Sequence, residues 1–346
     1  GADQTGAVTE DASTSTATGT MDASDADADA SLSYSGDATG TYGSIAIDSS
    51  GAWTYTLDNS DADTTALDAG DSVTDTFTLT VTDSASSETD TMEVEITITG
   101  ADDDVSAGAD QTGAVTEDAS TSTATGTMDA SDADADASLS YSGDATGTYG
   151  SIAIDSSGAW TYTLDNSDAD TTALDAGDSV TDTFTLTVTD SASSETDTME
   201  VEITITGAND APDAGSDGTG SVTEDASTST ATGSISATDA DDAASFTYSG
   251  DATGTYGSIA VDSAGAWTYT LDNTDADTDA LAHDGSGTDT FTMTVSDGTA
   301  SDTMTVTITI TGANDAPTVA NALSDESTDE DDASYSKDVS NMCTDI

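Results

Sequence analysis

The sequence predicts an all-β protein built from tandem antiparallel β-sandwiches arranged as a linear rod. Residues 1–100 recur without a change as residues 108–207, and a diverged third copy runs from Gly215 to Gly312. Within each copy, apolar and polar residues alternate with a period of two, which is typical of half-buried strands. No stretch shows a helical period over three turns, and glycines separate the alternating segments.

The alternating segments of the first copy follow one another from Ala17 to Ile98, and the first two are the weakest. About seven strands in about 100 residues fit one β-sandwich for each repeat. Tryptophan lies mid-strand and alternates with threonine, so we expect it in the core rather than stacked on a sugar. The apolar positions are Ala17 and Met21; Leu32 and Tyr34; Ile45 and Ile47; Trp53, Tyr55 and Leu57; Phe77, Leu79 and Val81; and Val94, Ile96 and Ile98.

The repeats set the expected domain boundaries. We expect three β-sandwich repeats at residues 1–107, 108–214 and 215–317, and the start of a different domain or a linker at 318–346. Short linkers join them, reading Ala-Asp-Asp-Asp after the first copy and Ala-Asn-Asp-Ala-Pro after the second and third. The two prolines of the chain lie in these linkers, where they restrict the backbone at the exit from the last strand. The chain is expected to be part of a longer protein.

The charge of the chain excludes several classes of protein. The 346 residues include 70 acids and one basic residue, for a net charge of -69, so nucleic acid would repel the chain. No apolar run approaches the length of a membrane span, and one cysteine allows neither an internal disulfide nor a zinc site. Disorder is the general alternative for such a composition, but random acidic coil would not keep the strand alternation.

The type of acid favours bound cations. Only 11 of the 70 acids are Glu, and Asp is suited to calcium sites built from loops. Adaptation to a saline habitat remains a second source of acidity. Catalysis is not expected, because the sole histidine, His283, lies in one copy and no nucleophile or phosphate-binding motif is present.

Several separated motifs of each copy resemble the VCBS repeat. They include Val-Thr-Glu-Asp at Val8, Gly-Thr-Tyr-Gly-Ser-Ile at Gly40, Gly-Ala-Trp-Thr-Tyr-Thr-Leu-Asp-Asn at Gly51, and Ile-Thr-Ile-Thr-Gly at Ile96. The resemblance covers residues 1–317, and the tail after it resembles the start of a bacterial cadherin-like domain. It implies an immunoglobulin- or cadherin-like sandwich from a large bacterial surface or secreted protein such as an adhesin.

The resemblance to cadherins implies Ca²⁺ at the junctions between consecutive repeats. A solvated acidic turn is the alternative for the same acids. At the first junction the implied ligands are Glu10, Asp71, Asp102 and Asp103 with Asp132, Asp134 and Asp190. At the second junction they are Glu117, Asp178, Asn209 and Asp210 with Asp239, Asp241 and Asp297. After the third copy they are Glu224, Asn314 and Asp315, and the mid-domain ligand of that copy is either Asp284 or absent.

The expected function is that of an extracellular stalk or spacer, stiffened by Ca²⁺, in a large bacterial adhesin or biofilm-matrix protein. The expected partners are calcium ions and neighbouring repeats, with no nucleic acid and no membrane span, and the surface or glycan target is not specified by the sequence. Three alternatives remain open: a filament subunit that pairs strands with other copies, a noncatalytic module of a secreted enzyme, and a ligand-binding adhesive tip.

Overall fold

The computed structural model describes residues 2–28, 31–241, 244–316, 318–319 and 343–344. The chain divides into two compact units. Unit 1 consists of Gly1–Val115, Ala119–Asp165 and Thr181–Ile205, and unit 2 consists of Thr116–Asp118, Asn166–Val180 and Thr206–Ile346. The first linker therefore lies within unit 1, and the second and third linkers lie within unit 2.

Each repeat forms two four-stranded sheets, so the all-β sandwich prediction is confirmed. In the first repeat the sheets have the strand orders β1-β8-β7-β3 and β2-β6-β5-β4. The first six strands are short because Gly and Asp turns interrupt the alternating segments every few residues, whereas the last two have 12 and 11 residues. They are β1 (Gln4–Thr9), β2 (Thr16–Thr20), β3 (Leu32–Ser35), β4 (Ala38–Thr39), β5 (Gly43–Ile47), β6 (Ala52–Leu57), β7 (Ser72–Asp83) and β8 (Thr89–Thr99).

The second and third repeats have the same strand orders as the first. In each of them, one four-residue helix lies in the loop before the seventh strand. The second repeat contains β9 (Gln111–Thr116), β10 (Thr123–Thr127), β11 (Leu139–Ser142), β12 (Ala145–Thr146), β13 (Gly150–Ile154), β14 (Ala159–Leu164), α1 (Ala169–Thr172), β15 (Ser179–Asp190) and β16 (Thr196–Thr206). The third contains β17 (Gly218–Thr223), β18 (Thr230–Ser234), β19 (Thr247–Ser249), β20 (Ala252–Thr253), β21 (Gly257–Val261), β22 (Ala266–Leu271), α2 (Ala276–Asp279), β23 (Ser286–Ser296) and β24 (Ser301–Thr311).

The tail after the third repeat contributes one two-stranded ladder, β25 (Thr318–Val319) with β26 (Cys343–Thr344). The prediction that a cadherin-like domain begins in residues 318–346 otherwise lies outside the described residues.

One pairing differs from the antiparallel arrangement that the sequence predicts. Strand β1 pairs parallel with β8, so that Val8 lies opposite Ile98, and β17 pairs parallel with β24 in the same register. The chain therefore enters a repeat beside the strand by which it leaves. This arrangement places Glu10, the first residue after β1, next to the linker that follows β8, and Glu10 N donates to Thr99 O at 2.9 Å.

The core lies between the two sheets of each repeat. Trp53 is 1% exposed and is packed with aliphatic residues of both sheets, which confirms its predicted core position. Its indole nitrogen Nε1 donates to Gln4 Oε1 at 2.9 Å, so the polar group of the ring is satisfied although the ring is buried. Trp160 makes the same bond to Gln111 Oε1.

A buried carboxylate fixes one loop to each core. Asp75 on β7 is 4% exposed and accepts hydrogen bonds from Tyr55 Oη at 2.9 Å, Thr41 N at 2.9 Å and Tyr42 N at 3.1 Å. Gly40 is required beside it, because a Cβ there would lie 2.5 Å from the Asp75 carboxyl group. Burial raises the pKa of the Tyr55 hydroxyl, and the hydrogen bond to Asp75 raises it further.

Candidate metal centre

A buried glutamate accepts a hydrogen bond from the linker at the end of each repeat. Glu10 is 3% exposed, and its Oε2 accepts a hydrogen bond from Ala101 N, the first residue of the linker, at 3.2 Å. The parallel pairing of β1 with β8 creates this contact. Glu117 accepts from Ala208 N at 3.0 Å, and Glu224 accepts from Ala313 N at 3.0 Å.

The linker also bonds to the Asp-Ala-Asp segment of the following repeat. Asp103 N donates to Asp134 Oδ2 at 2.9 Å, and Asp134 N donates to Asp132 Oδ1 at 3.1 Å. The second bond closes a local turn that holds the two carboxylates side by side. The second linker repeats both bonds, with Asp210 N to Asp241 Oδ2 at 3.2 Å and Asp241 N to Asp239 Oδ1 at 3.2 Å.

Each junction leaves buried carboxylate oxygens without a hydrogen-bond partner. Burial of an unpartnered acceptor carries a desolvation cost that a cation would remove. Glu117 and Glu224 are 2% and 1% exposed, and one carboxylate oxygen of each is unpartnered in addition to the oxygen bonded to the linker. Within the described residues the unpartnered carboxylate oxygens are Oε1 of Glu117 and Glu224, Oδ1 of Asp134 and Asp241, and Oδ2 of Asp239 and Asp315.

The carboxylates of each junction resist full ionisation in the absence of a cation. Burial, with a smaller contribution from the charges of Asp103, Asp11 and Asp134, raises the pKa of Glu10 to about 7 against the opposing hydrogen bond from Ala101. Burial followed by repulsion from neighbouring acids also raises the pKa values of six further junction carboxyls. They are Asp103, Asp134, Glu117, Asp210, Asp241 and Glu224.

Asp11, which the sequence analysis did not select, faces the first linker. Burial and the neighbouring charges of Asp134 and Asp11 raise the pKa of Asp103, so the Asp11 carboxyl lies near that of Asp103. Asp118 has the same relation to Asp210. Both residues adopt a left-handed backbone, with φ of 48° and 53°, which turns the side chain back toward the linker. The Glu-Asp pair that opens every repeat was the available signal.

The mid-domain acid that meets the first cluster is Asp68, whereas the sequence analysis named Asp71. Asp68 Oδ1 accepts from Asp136 N at 3.1 Å, and its charge raises the pKa of Asp134. Asp71 follows a tight glycine turn and is exposed. In the second repeat, the charge of Asp175 likewise raises the pKa of Asp241, whereas Asp178 is exposed. Ala282 occupies the corresponding position in the third repeat, and Asp284 is exposed.

Asp190 and Asp297 each accept several hydrogen bonds from their own loop and from one other segment. Asp190 is 3% exposed and accepts from Ser138 N at 2.6 Å and Ser193 N at 2.9 Å, and these bonds lower its pKa to about 2. Asp297 accepts from Thr299 N and Ala300 N, and its Oδ2 also accepts from Asn209 Nδ2 at 3.0 Å. Asp297 therefore contacts the second linker through an amide, whereas Asp190 joins its own loop to the loop that contains Ser138.

The first junction carries three acids that the second does not. Asp102 and Asp104 lie beside Glu195, and burial followed by the charges of these aspartates raises the pKa of Glu195. An open cavity of about 470 Å³ adjoins the linker and is lined in part by Asp11, Asp102, Asp103, Asp104 and Asp132. At the second junction the corresponding positions are Asn209, Ala211 and Ala300.

The predicted residues after the third repeat are only partly brought together. Burial and then the charge of Asp315 raise the pKa of Glu224, so these two carboxyl groups lie near each other. Asn314 is exposed and its Nδ2 donates to Asp315 O at 3.0 Å.

The donor set fits a hard cation. Six to eight oxygen ligands with tolerant geometry are typical of Ca²⁺, and carboxylates with linker carbonyls supply such oxygens. In the part of the chain that the structure describes, no three acidic, histidine or cysteine side chains already converge on one point as metal ligands. Binding would therefore have to draw the mutually repelling carboxylates together.

The tandem sandwiches and their acidic junctions define a class of modular proteins made of repeated β-domains. Residues 1–100, 102–207 and 209–312 each match the bacterial cadherin-like domain family. The chain therefore belongs to this family, with three consecutive members. Cadherin-like domains are typically noncatalytic adhesion modules, and their tandem arrangement is associated with an extracellular adhesion or spacer role.

Solved structures with low sequence identity resemble the chain. Mouse cadherin-23 EC22-24 is 19% identical, with a TM-score of 0.45, over 90% of this chain and 96% of that one. Mouse clustered PcdhgC3 EC1-3 is 16% identical, with a TM-score of 0.42, over 82% of this chain and 89% of that one. The endo-fucoidan hydrolase MfFcnA4 of glycoside hydrolase family 107 is 20% identical, with a TM-score of 0.26, over 82% of this chain and 39% of that one. No functional conclusion follows from these likenesses.

No curated protein matches the chain. Across the described residues, the only helices are too short and polar to pass through a lipid bilayer.

Proposed function

We propose that the chain is an extracellular spacer of a large bacterial surface adhesin or biofilm-matrix protein, and that Ca²⁺ stiffens its linkers. The repeats would be of the VCBS kind, with boundaries at residues 1–107, 108–214 and 215–317. Membership of the bacterial cadherin-like family supports the adhesion or spacer role. Secretion, the biofilm setting and the metal are the further steps of this proposal.

The proposal rests mainly on the buried glutamate, which contacts the linker through one carboxylate oxygen and leaves the other oxygen free for a cation. One carboxylate oxygen of Glu117 is bonded to the linker residue Ala208, and the other is buried without a partner. Asp210 and Asp241 lie close enough for their charges to raise the pKa of Glu117. An ion bound here would contact the end of one repeat, the linker and the start of the next repeat. It would therefore restrain the linker from both sides.

The residues that would hold the ion follow from the contacts described above. At the first junction they are Glu10, Asp11, Asp68, Asp103, Asp132 and Asp134, and at the second Glu117, Asp118, Asp175, Asp210, Asp239 and Asp241. Asp102, Asp71, Asp178, Asp190, Asn209 and Asp297 remain candidate ligands from the family resemblance, and Glu224, Asn314 and Asp315 remain candidates after the third repeat. The calcium ion supplies positive charge that neutralises these carboxylates.

Repulsion between carboxylates gives the physical reason why calcium would stiffen the linkers. Two carboxylates about 4 Å apart repel by about 4 kcal/mol at an effective dielectric constant of about 20. Several such pairs at one linker favour its opening when no cation is bound. Extracellular calcium modules bind Ca²⁺ with dissociation constants of about 10⁻⁴–10⁻³ M, and sites of that strength would fill outside the cell and stay empty in the cytosol. The linkers would then stiffen after export.

The proposal is tested by calcium titration calorimetry and small-angle scattering on the full chain. We expect Ca²⁺ to bind and to lower the flexibility measured by scattering, and chelation to reverse the change. The double variant Asp239→Asn and Asp241→Asn should lose the binding at the second junction. Asp277→Asn is the control, because Asp277 is exposed on α2 in the same repeat and is not among the residues proposed to hold the ion. Scattering curves that do not change between chelator and Ca²⁺ would refute the proposal.

A further inference from the structure

The larger sheet of the third repeat has an outer face that consists of serine and threonine. Along β23 (Ser286–Ser296) and β24 (Ser301–Thr311), every second side chain points away from the core, and each of these is serine or threonine. The two strands pair so that Thr292 lies opposite Thr305. The outward positions of the neighbouring strands β17 and β19 are also serine or threonine. This surface is here called the hydroxyl face, and among the described residues no carboxylate lies within it.

The first two repeats carry two glutamates in the middle of the same face. Glu93 and Glu95 on β8 are exposed and correspond to Thr305 and Thr307 on β24. The second repeat has the same sequence in this segment. A partner that covered this face in the first or second repeat would bury two carboxylates, which is costly unless each is paired. In the third repeat that cost is absent.

The hydroxyl face is large enough for a weak specific interface. Its four strands have 11, 11, 6 and 3 residues. At about 3.4 Å per residue and about 4.8 Å between strands, it covers about 500 Å². Two such faces in contact would remove about 1,000 Å² from solvent, which is at the lower end for specific protein interfaces. The smaller sheet of the same repeat also presents no carboxylate on its outer side, but its strands of 5, 6, 5 and 2 residues cover only about 300 Å².

We propose that the hydroxyl face of the third repeat docks against the same face of a second copy of this chain. The two sheets would pack face to face at about 10 Å, with threonine methyl groups between them and hydroxyl groups bonded across the interface or through water. A surface that binds itself about a two-fold axis must be complementary to itself. A face of hydroxyl groups meets that condition, because each hydroxyl both donates and accepts.

The charge of the chain favours this partner over others. At a net charge of -69, two copies repel each other wherever carboxylates meet, and this repulsion is smallest where two neutral faces meet. The face offers no basic residue for an anionic ligand and no aromatic ring on which a sugar could stack. Asp217 lies at the rim of the face, where its Oδ1 accepts from Thr305 N at 2.8 Å. Because Asp217 is exposed, solvent and salt would screen its charge.

Pairing through the third repeat would hold two spacers side by side. One weak face per chain gives dimers in solution. On a surface that displays many copies, the high local concentration would strengthen the same contact. The inference goes beyond the spacer role and needs no calcium at the linkers.

Self-association is tested by sedimentation equilibrium on the full chain over a range of concentrations. The buffer contains calcium or chelator with about 0.15 M NaCl, where the Debye length is about 8 Å and distant carboxylates are screened. We expect a reversible monomer–dimer equilibrium in both buffers. The double variant Thr305→Glu and Thr307→Glu should weaken the dimer at least about tenfold, because it places carboxylates of both copies in the interface. This variant should fold, since the first two repeats carry glutamate at the same positions.

Two further double variants separate the hydroxyl face from general repulsion. Thr268→Glu with Thr270→Glu adds the same charge to the outer side of the smaller sheet, where both residues are exposed, and should dimerise as the parent chain does. Glu93→Thr with Glu95→Thr removes the two carboxylates from the face of the first repeat, and should produce species larger than dimers. Melting curves establish that all variants remain folded.

A parent chain that stays monomeric in both buffers would overturn the proposal, and so would equal weakening by the two glutamate pairs. Dimers that form only in calcium would also overturn it, because the contact would then depend on bound metal. Binding of a monomeric chain to cellulose, with loss of binding in the Thr305→Glu and Thr307→Glu variant, would assign the face to a neutral glycan instead. A monomeric chain that still stiffens with calcium would refute this inference alone.

Discussion

Replacing Gly218 with Gln is expected to stabilise the third repeat. In the first two repeats the indole N–H of tryptophan donates to the side-chain oxygen of Gln4 or Gln111 at 2.9 Å. The third repeat has Gly218 at this position, and the Trp267 Nε1 group is buried without a hydrogen-bond partner. The third repeat therefore lacks the hydrogen bond that joins tryptophan to glutamine in the first two repeats.

The size of the effect follows from opposing contributions. A buried, unsatisfied N–H costs about 1–3 kcal/mol. Removing a glycine from a strand adds about 0.5–1 kcal/mol, and ordering a glutamine side chain costs up to about 2 kcal/mol. A Cβ at Gly218 would lie 3.2 Å from Met304 Cε and 3.3 Å from Val306 Cγ2, so these two side chains must shift by a few tenths of an ångström to admit it, which reduces the gain. The net gain expected is about 1 kcal/mol.

Native-state hydrogen exchange measures this change in the full chain, with the first two repeats as internal references. The amides of β22 and β24 should exchange more slowly in the Gly218→Gln variant. Gly218→Ala is the matched control, because it adds a Cβ and removes the glycine but supplies no acceptor. Equal protection in the two variants would refute the reasoning, since the gain would then come from the backbone alone.

Three further predictions concern the junctions and the core. Asp68→Asn should weaken calcium binding in titration calorimetry more than Asp71→Asn does, and equal effects would contradict the placement of Asp68 in the cluster. Tyr162→Phe should lower the free energy of unfolding in urea by about 1.5–3 kcal/mol, because the hydroxyl donates to the buried carboxylate of Asp182 at 3.0 Å. Without calcium, the raised pKa of Glu10, about 7 against an ordinary 4.5, means that the folded state retains a proton that the unfolded state has lost. The urea midpoint of the chelated chain should therefore fall between pH 5 and pH 8, and a rise would contradict this.

The strand pattern was predictable because period-two alternation directly reports which side chains face the core. Val94, Ile96 and Ile98 were expected on one face and are all fully buried. The direction of pairing was not predictable in the same way, since alternation is identical for parallel and antiparallel neighbours. Strand β1 offers only one buried aliphatic side chain, Val8, so its sequence carries little information about its partner.

The Glu of each repeat and the Asp-Ala-Asp segment, which the sequence analysis selected as candidate ligands, both accept hydrogen bonds from the linker. Which acids belong to each junction could not be predicted from residue type alone. Asp11 reaches the linker because of its left-handed backbone, and a glycine turn selects Asp68 over Asp71. Asp190 has the right type and position, but backbone N–H groups already occupy its oxygens.

The central claim is that Ca²⁺ holds the linkers in one conformation, and the most direct test is a distance distribution across the first linker. Spin labels are attached at Thr56→Cys and Thr163→Cys, which are equivalent exposed positions in two identical repeats. Cys343→Ser removes the native cysteine so that only these two positions are labelled. We predict a narrow distribution in calcium and a broad one in chelator, with no recovery when NaCl replaces calcium. A narrow distribution that persists in chelator would contradict the account.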